Sequence, residues 1–269
     1  MSGPGNAQSL EFEDVCLEYA GRHGVTPAVS GLTASVDAGR FVSLIGPSGC
    51  GKSTLLDIAG GLLPPTSGVC RLGGTDVTGP QSTTSMVFQE AALLPWRSVL
   101  DNVAFPLEVK GVRASERRAR AAELLRTVGL DGFANAYPSE LSGGMRQRVS
   151  IARALVTDPA LLLMDEPFGA LDQQTRSMMG LELTRTWERV QCSVLFVTHD
   201  IGEAVALSDE VWVLSRRPAR LLTRIEVDLP RPRADDLPLQ PRFQELEAEI
   251  WGTLREESRA MGVPERVGV

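Results

Sequence analysis

The sequence predicts an α/β fold, a parallel-sheet core carrying an antiparallel β subdomain and an inserted helical segment, on three observations. The apolar run of residues 41–45 leads directly into Gly46, Pro47, Ser48, Gly49, Cys50, Gly51, Lys52, Ser53 and Thr54, and these lead into the helix-forming residues 55–59. That is a strand, a glycine-rich loop and a helix. Four short apolar runs, residues 41–45, 85–88, 161–164 and 193–198, each deliver polar residues to a carboxyl end, and such ends belong together on one edge of a parallel sheet. Residues 12–19, 32–36 and 69–72 read instead as a small, mostly antiparallel sheet beside the loop.

Composition sets the frame. At 269 residues with 43% hydrophobic and 23% charged residues, the chain can bury a sizeable core in one or two domains. A net charge of −7 argues against broad electrostatic binding to nucleic acid. No apolar run approaches the roughly 20 residues of a membrane span, and the first residues lack a basic stretch followed by an apolar one, so a cytoplasmic protein is expected. Cys16, Cys50, Cys70 and Cys192 have neither disulfide-framework nor zinc spacing. Three are expected to be small buried residues; Cys50, inside the loop, is expected to react with thiol reagents, with loss of activity unless the loop's own ligand protects it.

In the loop, Gly46, Gly51, Lys52 and Ser53 occupy the fixed positions of Gly-x-x-x-x-Gly-Lys-[Ser/Thr]. Glycines let successive N–H groups turn inward on a phosphate, and the following helix adds the positive end of its dipole. Lys52 is expected on the β- and γ-phosphates and the Ser53 hydroxyl on Mg²⁺. The chain has only two lysines, Lys52 and Lys110, so a lysine here suggests a site needing a compact, rotatable ammonium. Tyr19, closing the first strand, fits a nucleotide base-stacking residue and equally an ordinary strand-end aromatic.

Further along, residues 85–88 read as a buried strand ending at Gln89, followed by an exposed-looking apolar cluster at Leu93, Leu94, Pro95 and Trp96. The segment to about residue 156 is largely helical. Ser115 is expected to cap a helix that reaches Val128 and stops at Gly129, and Arg113, Arg117, Arg118, Arg120 and Arg126 to form its solvated basic face. Asp165 and Glu166 follow an apolar strand. Such a pair also fits a helix cap, but beside a phosphate loop it fits split roles, Asp165 holding Mg²⁺ through water and Glu166 orienting or deprotonating the attacking water. Ser142 can cap a second helix whose start, Gly143 and Gly144, leaves N–H groups open: a second anion site in one chain. One nucleotide does not need both, so the second can serve a nucleotide held by another copy. After residue 228 a proline-rich stretch leads to a final helix with Phe243, Leu246, Ile250 and Leu254 on one stripe.

The loop, Gln89, the string Leu141-Ser-Gly-Gly-Met-Arg-Gln-Arg148, the run from Leu161 through Asp165, Glu166 and on to Asp172, and Thr198-His199-Asp200 together resemble the ATPase subunits of ABC transporters, over roughly residues 10–224. Residues 94–105 look like the branch serving importers of nitrate, taurine and aliphatic sulfonates. The resemblance implies a P-loop NTPase, RecA-like core in an ATPase domain of residues 9–228, a helical signature subdomain at about 90–157 and a C-terminal extension at 229–269. It also implies a head-to-tail dimer on two ATP molecules. Each ATP would lie between Lys52, Ser53, Gln89, Asp165, Glu166 and His199 of one copy and Ser142, Gly143 and Gly144 of the other. Glu166, His199, Lys52 and Gln89 would be catalytic, His199 holding the γ-phosphate. Ser53, Gln89 and Asp165 would hold Mg²⁺, Tyr19 would stack on adenine and Asp172 would link the two sites. Membrane permease subunits would dock near Gln89 and Leu93 to Trp96, with an external substrate-binding protein completing the complex at the cytoplasmic face of a bacterial inner membrane. Met145 stands where many relatives have glutamine, which bears on contacts to the nucleotide's sugar. An ABC-type ATPase of iron–sulfur assembly, uncoupled from transport, and a small-molecule kinase are the rival readings; the kinase would not need Ser142, Gly143 and Gly144.

Overall fold

The computed structural model describes residues 6–21, 24–169, 171–234 and 236–260. In chain order the strands are β1 (Leu10–Gly21), β2 (Gly24–Val36), β3 (Phe41–Ile45), β4 (Ser67–Leu72), β5 (Thr75–Asp76), β6 (Thr84–Val87), β7 (Leu161–Asp165), β8 (Ser193–Val197), β9 (Glu210–Leu214) and β10 (Leu221–Glu226). The α-helices are α1 (Lys52–Ala59), α2 (Val99–Val109), α3 (Ala114–Thr127), α4 (Gly143–Leu155), α5 (Gln173–Val190), α6 (Ile201–Leu207) and α7 (Pro241–Ala260).

The main sheet runs β10-β9-β3-β8-β7-β6, parallel throughout except for β10, and an antiparallel sheet runs β2-β1-β4-β5. Alternation along the central strands shows why both faces are covered. Val42, Leu44, Leu161, Leu163, Leu195 and Val197 face α1 and the antiparallel sheet, while Phe41, Leu162, Met164, Val194 and Phe196 face α4 and α5 through Ile151, Leu155, Met179 and Trp187. Strands buried on two sides have no polar face, hence their continuous apolar sequence. Helices α2, α3 and α4 share a separate core around Val103, Leu107, Leu125 and Val149.

Helix α7 lays Phe243, Leu246 and Ile250 onto α6, β9 and β10, with Leu254 partly buried beside them. Full burial of each such side chain contributes about 1.5–3 kcal/mol, so the proline-rich stretch ends in a helix anchored to the core.

Five expectations need correction. Strand β2 begins at Gly24, not Leu32, because its first residues lie along an exposed sheet edge with no apolar pattern; β1 likewise continues past Tyr19. β6 is an edge strand, largely half-buried, and Phe88 lies beyond it, exposed. Ser115 is not a cap: α3 starts at Ala114 after Arg113, which makes no side-chain cap bond. Its end does follow expectation, since Gly129 at φ 68° lets the N–H groups of Gly129 and Leu130 reach the carbonyls of Arg126 and Leu125. The arginines of α3 are not merely solvated: Arg117 pairs with Glu108, Arg118 with Asp101 and Arg120 with Asp158, acids from outside the helix.

Candidate functional site

The carboxyl ends of β3, β7 and β8 lie on one edge because the three strands are parallel neighbours. From β3 the chain enters the loop, whose shape depends on Gly51 (φ 125°): a Cβ there would stand 2.8 Å from the carbonyl oxygen of Ala28. The Lys52 ammonium is buried and donates to the carbonyls of Gly46 (2.8 Å) and Pro47 (3.1 Å), folding the loop around it. Ser48, Gly49, Gly51, Lys52, Ser53 and Thr54 line an open cleft of about 230 Å³, together with Tyr19, Ala28, Glu166 and Arg217. The Tyr19 hydroxyl lies 3.2 Å from the Thr54 hydroxyl, so the ring is tied to the first turn of α1.

Asp165 ends β7 beside the Ser53 hydroxyl. Burial, reinforced by Glu166, raises its carboxyl above the ordinary range, while Ser53 and Lys52 pull the other way. Glu166 sits at φ 42°, its N–H bonded to the Val197 carbonyl at 3.0 Å. Its Oε2 accepts a hydrogen bond from His199 Nδ1 at 3.1 Å, the histidine standing just past β8. Behind His199, Thr198 donates to Glu203, and Asp200 caps α6 through the Glu203 N–H at 2.9 Å. Burial lifts the Glu203 carboxyl to about 7, with Asp200 and Glu166 adding to the rise and Thr198 and Arg176 opposing it.

Gln89 follows edge strand β6 and is exposed. Helix α4 fixes the adjoining segment, Gln147 donating to the Phe88 carbonyl and Arg153 to those of Ala91 and Ala92. A side chain built on Gly169 would stand 3.5 Å from Gln89 Nε2 and 3.6 Å from Glu166 Oε2, which puts the amide and the carboxylate around the same glycine.

Ser142 caps α4, accepting from the Met145 N–H at 3.3 Å, with Gly143 exposed behind it. Asp172 caps α5 through the Thr175 N–H (3.0 Å) and hydroxyl (2.7 Å). These two helix starts adjoin, since a Cβ on Gly144 would lie 3.5 Å from the Thr175 methyl. None of Ser142, Gly143, Gly144 and Asp172 lines the cleft that holds Lys52.

Leu93 and Leu94 are half-buried, Leu93 against the helical core, and Trp96 is 71% exposed. Buried Asn102 holds this segment, accepting from the Leu94 N–H and donating to the carbonyls of Leu94, Arg97 and Ser98. Arg97 forks onto Glu108 at 2.9 and 3.1 Å.

Two cysteine expectations change. Cys16 is half-buried, and the three buried thiols are Cys50, Cys70 and Cys192. Cys50 is 1% exposed and its thiol is raised by burial, so the reactivity expected of it is not supported by its position. Arg217, in the turn between β9 and β10, was missed because it belongs to no spaced motif; its one sequence signal is an arginine pair directly after the last apolar strand.

Among the described residues no group of three or more His, Cys, Asp or Glu side chains could hold a metal ion. One carboxylate, Asp165, beside one hydroxyl, Ser53, does fit a Mg²⁺ that takes its other ligands from phosphates and water.

Residues 29–169 match the ABC transporter family. The chain is 47% identical over 247 residues to the taurine import ATP-binding protein TauB of Rhizobium johnstonii, covering 90% of this chain and 94% of that one. It is 44% identical to the nitrate import ATP-binding protein NrtD of Synechocystis sp., over 91% and 95% of the two chains. A solved structure of the ATP-binding cassette MJ0796, dimeric in a post-hydrolysis state with ADP and Pi, superposes with a TM-score of 0.73 at 32% identity, covering 82% of this chain and all of that one.

Proposed function

Given that the chain belongs to the ABC transporter ATPase family, we propose that it hydrolyses ATP to energise import of a small anion of the taurine, sulfonate or nitrate kind. The observation that carries the ATPase part is the convergence of Lys52, Ser53, Asp165, Glu166 and His199 at the carboxyl edge of one sheet. The named import functions of TauB and NrtD support the substrate class.

Lys52 exchanges the Gly46 and Pro47 carbonyls for phosphate oxygens, and the loop amides with the start of α1 take the remaining phosphate charge. Ser53, Asp165 and Gln89 would hold Mg²⁺, which supplies charge neutralisation on the β- and γ-phosphates when bound. Glu166 takes the proton from the attacking water, and His199, oriented through Nδ1, presents its other ring nitrogen toward the γ-phosphate. Ser142, Gly143 and Gly144 face a second copy's nucleotide and Asp172 links the two sites; their place outside the Lys52 cleft supports this. ATP bridging two copies favours the closed pair, and loss of the γ-phosphate favours opening.

No helix among the described residues is long and apolar enough to cross a membrane. In this reading permease subunits form the path, and the protein works peripherally at the cytoplasmic face. The presented Trp96 and the neighbouring Leu94 supply an apolar surface for them. An external substrate-binding protein selects the anion.

Glu166→Gln is expected to bind ATP, form a stable dimer by size-exclusion chromatography and hydrolyse about 100-fold or more slowly. Near-normal turnover would remove Glu166 from catalysis. Ser142→Arg is expected to abolish turnover while one copy still binds ATP; unchanged turnover would refute the shared site.

A further inference from the structure

Arg217 stands beside Tyr19 in the ATP cleft, on a turn that also meets the phosphate loop, where a Cβ on Gly51 would lie 3.1 Å from that of Ala219. It lines the cleft with Tyr19 and Lys52, and its guanidinium carbon lies 6.0 Å from the centre of the Tyr19 ring. One guanidinium donor, Nε–H, is committed to the Pro27 carbonyl at 3.0 Å. The turn that carries it is strapped to β2 on both sides, the Ala219 N–H donating to the Ala28 carbonyl (2.8 Å) and the Ser30 N–H to the Ala219 carbonyl (3.0 Å). Inside the turn, the Ser215 hydroxyl accepts from the Arg220 N–H at 2.9 Å. An exposed arginine held this way loses less freedom on meeting a ligand than one on a loose loop.

We propose that Arg217 is a nucleotide-binding residue that closes the nucleoside end of the cleft, holding with Tyr19 the base and ribose of ATP; this rests on the ATPase reading above. Two physical arguments point to the nucleoside. The turn meets the phosphate loop through Ala219, but the Arg217 side chain itself is tethered to Pro27, next to the Thr26 that pairs with Tyr19, and lies over the Tyr19 ring. A planar guanidinium beside an aromatic face can also extend the stacking surface under a base, and its remaining N–H groups can donate to ring nitrogens or ribose oxygens, which an ammonium ion does less well.

The test is calorimetric binding of ATP and of inorganic tripolyphosphate, which has no nucleoside, to the wild type and to Arg217→Ala, Arg217→Lys, Tyr19→Ala, Lys52→Ala and the Tyr19→Ala/Arg217→Ala pair. Arg217→Ala is expected to weaken ATP about fivefold and tripolyphosphate less than about twofold, with Arg217→Lys recovering little. The double variant should lose less than the product of the two single losses. Equal weakening of ATP and tripolyphosphate would overturn the assignment, as would unchanged ATP binding in Arg217→Ala. If Lys52→Ala still lost affinity for both ligands in that event, the ATPase reading would stand and only the role of Arg217 would fall. Urea midpoints matching the wild type would show that Arg217→Ala is folded.

Discussion

Replacing Glu203 by glutamine should change how stability depends on pH, by an amount the structure sets. The carboxyl is buried at the first turn of α6, with Oε2 accepting from Thr198 and Oε1 without a hydrogen-bond partner. Its pKa is raised from an ordinary 4.5 to about 7, first by burial and then by the charges of Asp200 and Glu166. Between those values the folded chain holds a proton that the unfolded chain has released. Stability therefore falls as pH rises from 4.5 to 7 and levels off above the folded value. At about 1.4 kcal/mol for each pH unit, this one group removes about 3 kcal/mol across the window. Glutamine cannot ionise, so Glu203→Gln should gain about 3 kcal/mol on the wild type between pH 4.5 and 8, whatever its offset at acid pH. Asp57, Asp165 and Glu247 are also raised by burial, but their slopes are common to both proteins and cancel in the difference. Urea unfolding without nucleotide at pH 4.5, 5.5, 6.5 and 8 measures it. A difference that stays constant with pH would refute the reasoning.

Two other outcomes follow from backbone and burial. Gly61→Ala should cost about 3 kcal/mol or more in urea unfolding, because Gly61 has φ 68° and an added Cβ would stand 2.2 Å from the Gly79 carbonyl oxygen; a loss below about 1 kcal/mol would contradict that packing. Brief treatment with N-ethylmaleimide should label half-buried Cys16 before Cys50 with ATPase activity kept, read by peptide mass spectrometry, whereas first labelling of Cys50 would show the loop to be open.

The parts of the fold legible in the sequence are those with no exposed face. β3, β7, β8 and β9 are apolar but for Ser43, Asp165, Ser193 and Glu210 because they are packed on both sides, and the polar residues that follow them, the glycine-rich loop, Glu166 and His199, stand out against them. Strand β2 was read eight residues late, since residues 24–31 satisfy their backbone against β1 without needing an apolar pattern. Ser115 misled because a good capping residue one place inside a helix looks the same in sequence as one at its start. Arg217 escaped because its role depends on two chain-distant carbonyls, those of Pro27 and Ala28, and nothing in local spacing encodes them.

The left-handed backbone at Glu166 links the sheet to the chemistry. Along β7, Leu161 and Leu163 face α1 while Leu162 and Met164 face α5. By that alternation Asp165 points toward the phosphate loop, and Glu166, continued as strand, would point into the opposite core. At φ 42° the chain turns instead, and Glu166 joins the cleft while Asp165 stays beside Ser53. A non-glycine residue in this conformation costs on the order of 1–2 kcal/mol. The Glu166 N–H bond to Val197 and the Gly169 N–H bond back to Glu166, both 3.0 Å, hold it there. Two adjacent carboxylates with different tasks can serve one nucleotide only if the period of the strand is broken between them, and the break falls at the residue assigned to the water.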